Sequence, residues 1–233
     1  MMTFEEIKNL DKSYLYAGDL KKWQRTSLEK REAITNKSWI GLTLPNYGEE
    51  KGTDDENHIL FDITHQMPLK ECSVDIYQSE DVHEHIGYEL LVDQINDIYR
   101  VLKPGGLFRL SLPDYNLDIL RDRTEKDSCG NLIFDSFGGG YFDSSTNEVK
   151  GNGHVWFPTY DNVKELLGMT KFTNIQFLQH WWHIEEENCL DFDCNCNQGS
   201  LHMVLHPIDY TKGFVFRTPD HDSRVMNPRR PMS

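Results

Sequence analysis

The chain has 233 residues, with 24 Lys or Arg against 38 Asp or Glu and a formal net charge of −14. That length suits one α/β domain with insertions, which buries about 70% of the surface its unfolded form exposes, while the acidic balance offers few cations to displace counterions from phosphates and disfavours nucleic acid as a partner. No run of about 18 apolar residues is present, and Met1-Met2-Thr3-Phe4-Glu5-Glu6 lacks the basic and apolar regions of a signal peptide, so a cytoplasmic protein without membrane insertion is expected.

Residues 3 to 10 predict a short helix. Ser13 to Asp19 predict a first strand running into a turn at Ala17-Gly18-Asp19, and residues 20 to 38 a charged helix. Ser38 to Leu44 read as a second strand that stops at Pro45, followed by a polar, glycine-containing loop from Tyr47 to Asn57 with no apolar face to bury. Ile59 to Asp62 and Val74 to Ser79 follow as strands, the first ending in the loop Asp62 to Leu69. A helix over about 86 to 102 places Leu90, Leu91, Ile95, Ile98 and Val101 at helical spacing.

The helix runs into Lys103-Pro104-Gly105-Gly106, where proline ends helical structure and glycine admits the positive φ of a sharp reversal; the alternation Phe108, Leu110, Leu112 then predicts a strand. Beyond Asp114 the pattern turns irregular, with Gly138-Gly139-Gly140 and Gly151-Asn152-Gly153-His154 as flexible joints in an expected active-site insertion. A helix over 160 to 168 and strands at 174 to 179 and 201 to 205 complete the order. Strands separated by helices predict a doubly wound, mostly parallel sheet of α/β class, with ligands beyond the carboxyl ends of its strands. The loops after Tyr16, Leu44, Phe61 and Tyr77 then share one rim.

The run Ile98-Tyr99-Arg100-Val101-Leu102-Lys103-Pro104-Gly105-Gly106, followed by a strand and Pro113-Asp114, resembles the segment entering the fifth strand of class I S-adenosylmethionine-dependent methyltransferases. Three further matches come in order: Leu15-Tyr16-Ala17-Gly18-Asp19, Asp62-Ile63-Thr64-His65-Gln66-Met67-Pro68-Leu69, and Ser73-Val74-Asp75-Ile76-Tyr77 with Glu84-His85. Over residues 13 to 206 the chain is most similar to small methyltransferases associated with polysaccharide biosynthesis. The resemblance implies a single Rossmann-like methyltransferase domain with a seven-stranded sheet over residues 1 to 233, whether the whole protein or one part of a longer polypeptide. S-adenosylmethionine is the implied cofactor, and the implied reaction is O-methylation of a sugar or glycan.

It also assigns candidate cofactor residues. Tyr16, Ala17, Gly18 and Asp19 form the first loop, where only one glycine remains to admit a close approach of the donor. Thr43 stands where the second strand would end in an acid for the ribose hydroxyls. Asp62 and the amide of Ile63 would meet the adenine edge, and Ser79, Glu80 and Asp81 would border the donor's methionine part. The single glycine and Thr43 leave open a second reading, a noncatalytic methyltransferase-like scaffold.

Transfer to a hydroxyl needs a group that accepts the departing proton, and histidine suits neutral pH. His85 and His154 are the candidate bases and Asp114 an orienting carboxylate. His83, Glu84, His85 and Asp114 include metal-ligand types, yet neighbouring residues rarely point to one centre and a sulfonium needs no metal, so no metal is expected. The five cysteines fit reduced thiols better than a disulfide framework. Cys189, Cys194 and Cys196 are expected in an acidic loop, since their spacing departs from a zinc knuckle. Trp181-Trp182 fit a core or homodimer contact, or stacking on a sugar face, and the basic stretch Arg224 to Arg230 is expected to be a solvated terminus.

Overall fold

A computed structural model describes residues 2–10, 13–18, 39–44, 57–136, 140–146, 148–178 and 200–206. Among the described residues the first half runs in the order the sequence predicts: α1 (Phe4–Ile7), then the strands β1 (Tyr14–Ala17), β2 (Trp39–Thr43), β3 (His58–Leu60) and β4 (Val74–Glu80), then α2 (Tyr88–Val101) and β5 (Leu102–Pro113). The helix expected over 20 to 38, most of the loop 47 to 57, Asp19, Trp181-Trp182, the Cys189/Cys194/Cys196 group and the basic stretch lie outside the described residues.

The strands β1 to β5 are parallel; β1 and β2 are buried throughout, as parallel sheets require, while β4 and β5 bury polar residues (Gln78, Ser79, Glu80, Arg109, Ser111) among their apolar ones. Two later strands, β10 (Asn174–Leu178) and β11 (Ser200–His206), extend the sheet to the order β10-β11-β5-β4-β1-β2-β3, with β11 antiparallel to both of its neighbours. The reversal of strand order between β1 and β4 is the topological switch at which an open wound sheet binds ligands. The carboxyl ends of β1 to β5 therefore form one rim, as expected. Among the described residues no helix is long and apolar enough to cross a membrane.

Helix α2 buries Leu91, Ile95, Ile98 and Val101 against the sheet, whereas Leu90, placed on the apolar face by its spacing, is exposed. Each fully buried side chain of this size contributes about 1.5–3 kcal/mol from apolar burial. The Lys-Pro-Gly-Gly segment departs from the expected turn. Strand β5 begins directly after α2, and the segment bulges from it, since Val74 pairs with Leu102 while Ile76 pairs with Leu107. Gly105 takes a positive φ of 77°; Gly106 does not, and serves close packing instead, because a Cβ there would lie 2.9 Å from the carbonyl of Lys103 and 3.0 Å from that of Asp75.

The insertion after β5 contains elements that no periodicity announced: α3 (Asp118–Arg123) and the hairpins β6–β7 (Glu125–Lys126, Leu132–Phe134) and β8–β9 (Tyr141–Asp143, Glu148–Lys150). It closes with α4 (Tyr160–Gly168), whose Thr159 hydroxyl accepts from the amide of Asn162 while the Asn162 carbonyl oxygen accepts from the amide of Thr159, a reciprocal cap.

Candidate active site

The rim carries two unlike regions. On the β1–β3 side, β1 delivers a buried backbone: the Tyr16 and Ala17 side chains are in the core, and the chain leaves the strand at Gly18 with φ 120°. A side chain there would be strained, and its Cβ would crowd the Tyr16 ring at 3.3 Å, so only glycine keeps this backbone accessible. Thr43 is buried at the end of β2. Asp62, two residues past β3, is part-exposed. Its Oδ1 accepts from both the amide and the hydroxyl of Thr64, at 3.0 and 2.7 Å, and the half-buried Ile63 lies between them in the chain.

On the β4–β5 side the polar groups are engaged with one another. Glu80, expected beside the cofactor, pairs with Arg109 of β5 at 2.8 Å, both side chains nearly buried, and accepts from Gln78 at 3.0 Å. Ser79 bonds Nδ1 of His83 at 2.7 Å, and Nε2 of His83 bonds Oε1 of Gln94 on α2 at 2.8 Å. Burial lowers the His83 pKa to about 4, with the Gln94 bond acting the other way, so this histidine is a neutral brace. Asp81 adopts a left-handed φ of 52° and turns the chain out of β4, its amide donating to the carbonyl of Ser111.

The chain then makes a 3₁₀ turn over His83–His85. Glu84 is fully buried; its carbonyl accepts from the amides of Val155 and Trp156 at 3.0 and 3.3 Å, which pins the end of the insertion to this turn. As a result His154 lies with its Nε2 3.7 Å from Oε1 of Glu84, and Nε2 of His85 is 4.0 Å from the same oxygen. The two imidazole rings meet edge to face, 4.6 Å apart at 85°. Glu84, His85 and His154 thus offer one ligand atom each within 4.8 Å of one another.

A second layer holds this centre. Nδ1 of His85 is 3.2 Å from the carbonyl of Gly153. Nδ1 of His154 is 2.5 Å from the Tyr115 hydroxyl, which donates to Asp135 at 2.7 Å, and Asp135 pairs with Arg123 at 2.7 Å. Burial drives His154 down to about 3, with the neighbouring His85 adding to the effect, and drives the Glu84 carboxyl well above its ordinary value, helped by the charge of Asp81. Of Glu84, His85 and His154, only His85 is part-exposed, with a quarter of its side chain open.

Sequence reasoning singled out His85 and His154 from distant segments, and the fold brings them together. Asp114, expected as an orienting or substrate-binding carboxylate, follows β5 and accepts from the amide of Asn116, while its neighbour Tyr115 enters the cluster. Tyr115, Asp135 and Arg123 were not anticipated. The expectation that adjacent residues would not share a centre fails at Glu84 and His85, because the 3₁₀ turn replaces an extended chain's opposite-facing side chains.

The fold defines a class. It is similar to that of a SAM-dependent methyltransferase from Methanosarcina mazei, at 14% identity with a TM-score of 0.50, over 89% of this chain and 98% of that one. A further similarity is to a SAM-dependent methyltransferase from Thermotoga maritima, at 15% identity and a TM-score of 0.47, over 87% and 86% of the two chains. Residues 44–110, from the end of β2 into β5, match the family described as Methyltransferase domain. No curated protein matches the chain. The fold is the Rossmann-like methyltransferase fold, and the family match over residues 44–110 agrees with it; the donor of the Methanosarcina protein is S-adenosylmethionine. The rim fits that cofactor at two points, the Cβ-free backbone of Gly18 and the outward carboxylate of Asp62; where an acid would serve the ribose, the buried Thr43 stands.

Proposed function

We propose that the protein transfers the methyl group of S-adenosylmethionine to a hydroxyl of a sugar or glycan in the cytosol, with the Glu84–His85–His154 cluster handling the acceptor's proton. The carrying observation is that cluster's position, just beyond the carboxyl end of β4 on the ligand-binding rim, with one member open to solvent. S-adenosylmethionine, when bound, supplies a methyl group made electrophilic by its sulfonium. Asp62 and the Ile63 amide would hold the adenine edge, and the Gly18 backbone the amino-acid part.

A hydroxyl becomes nucleophilic as its proton leaves, so the chain has to offer an acceptor within reach. The Gly153 carbonyl fixes the proton of His85 on Nδ1, which leaves Nε2 to take the acceptor's proton and the solvent beside it to clear the charge. His154, held neutral by burial, adds no competing positive charge. A sugar suits the surroundings: the half-buried Asp114 carboxylate can accept hydroxyl protons, and Tyr115 stacks edge to face on Phe157 beside the cluster.

Calorimetric titration with S-adenosylhomocysteine, followed by label transfer from methyl-labelled donor to a panel of mono- and oligosaccharides, tests the reading. Saturable binding and labelled sugar are expected. No binding at millimolar ligand would favour the noncatalytic scaffold, to which the acid-free end of β2 at Thr43 lends support; binding with no labelled sugar would move the search to other acceptors.

A further inference from the structure

Three lone-pair donors converge at the cluster without a hydrogen between them. The Gly153 carbonyl can only accept, so Nδ1 of His85 carries that ring's proton and Nε2 its lone pair. Tyr115 gives its single proton to Asp135, which obliges Nδ1 of His154 to donate to the tyrosine oxygen and leaves the lone pair of this ring on Nε2 as well. Both Nε2 atoms face Oε1 of Glu84, and among the described residues the fully buried carboxyl group accepts no hydrogen bond from another residue, only its own amide lying close.

Two imidazole lone pairs and a fully buried carboxyl group turned toward one another form a donor set that a cation satisfies. One shared proton is a poor fit, because 3.7 and 4.0 Å exceed hydrogen-bond length and a proton bridges only one pair. A metal ion serves all three. Bonds of about 2.0–2.2 Å at a tetrahedral centre put ligand atoms roughly 3.4 Å apart; the Glu84 pairs at 3.7 and 4.0 Å lie near that spacing, and all three ligand atoms lie within 4.8 Å of one another, so side-chain rotation alone can close the set. The surroundings also match: each histidine gives its other N–H to an oxygen, which sets tautomer and ring orientation before an ion arrives.

We propose that Glu84, His85 and His154 bind a divalent first-row transition ion of zinc type, with a fourth position open on the exposed side of His85. Two nitrogens and one carboxylate oxygen are ligands such ions accept, and three protein ligands with one open position is the arrangement of catalytic rather than closed structural sites. The inference does not rest on the acceptor or on the methyl donor. With the ion seated, Nε2 of His85 is a ligand, and a hydroxyl at the open position releases its proton to water under the ion's field instead of to His85.

The test uses the full chain, stripped with a chelator and then titrated with Zn²⁺ in a calorimeter and with Co²⁺ while visible absorption is followed. One equivalent is expected, with the intense bands of a four- or five-coordinate cobalt centre. Tyr115→Phe should weaken uptake by about 10- to 100-fold, the usual effect of removing an outer partner, and Glu84→Gln and His85→Asn by more. The triple variant Cys189→Ser/Cys194→Ser/Cys196→Ser should keep the equivalent. No uptake by the stripped chain, uptake that survives His85→Asn, or uptake that vanishes in the triple variant each overturns the proposal. His85, being part-exposed, decides even if Glu84→Gln fails to fold. S-adenosylhomocysteine binding in the same samples separates the readings: donor binding without ion uptake defeats only the ion, and ion uptake without donor binding defeats only methyl transfer.

Discussion

The two sides of the rim are built on opposite principles. Along β1 to β3 the described ligand-facing features are mostly backbone and space: a glycine at φ 120°, a buried threonine, and one carboxylate turned outward from a tight turn. Along β4 and β5 polar side chains hold one another in a chain from Arg123 through Asp135 and Tyr115 to His154, and from Ser79 through His83 to Gln94. The first side tolerates substitution in proportion to the contacts a ligand makes there; the second is cross-braced, so its residues should affect turnover and stability together.

The largest expected effect is on the braced side. His85→Gln should lower turnover by about 10²- to 10⁴-fold while calorimetric affinity for S-adenosylhomocysteine stays unchanged; full turnover in this variant would remove the residue from the chemistry. Arg109→Leu comes next. It leaves Glu80 buried without the charge of Arg109 opposite it and should cost about 3–5 kcal/mol in urea unfolding, and a loss well under 1 kcal/mol would show the braces to be dispensable.

His83 gives the third contrast. Its folded pKa of about 4 lies below the ordinary 6.5, so the unfolded chain binds the extra proton between those values. Stability from this group is therefore complete above pH 6.5 and is lost as pH falls toward 4, by on the order of 3 kcal/mol. Glu84, whose carboxyl burial shifts the other way, gives stability that falls as pH rises above its ordinary value of 4.5. The His83→Gln variant isolates the histidine: its melting temperature should decline less than the parent's between pH 6.5 and 4, and parallel curves would refute the brace.

The smallest effect belongs to the open side. Asp62→Ala should weaken donor binding by about 10- to 100-fold, the value of a hydrogen bond to a charged group, with little change in melting temperature. Unchanged affinity would remove the adenine assignment.

The sheet was legible in the sequence because its signals are local: apolar strands, helical spacing from Leu91 to Val101, and a proline-glycine segment before Leu107. The glycine turn at Gly18 was readable for the same reason. The cluster was only half readable. His85 and His154 could be named as residue types suited to the chemistry, but Tyr115, Asp135 and Arg123 join them through pairings 12 to 39 residues apart that leave no periodic trace. A carboxylate after a strand, as at Asp114, is readable as a polar group at the rim, whereas the buried phenol of Tyr115 declares its role only through its two partners.

The carbonyl of Glu84 that receives Val155 and Trp156 has a wider consequence. It ties the turn after β4 to the far end of a segment some forty residues long that also contributes His154, Asp135, Arg123 and Tyr115. The wall that would touch an acceptor and the groups that hold the His85 base from behind are therefore one covalent stretch, so grafting this stretch from a relative would replace selectivity and the support of the base in a single step.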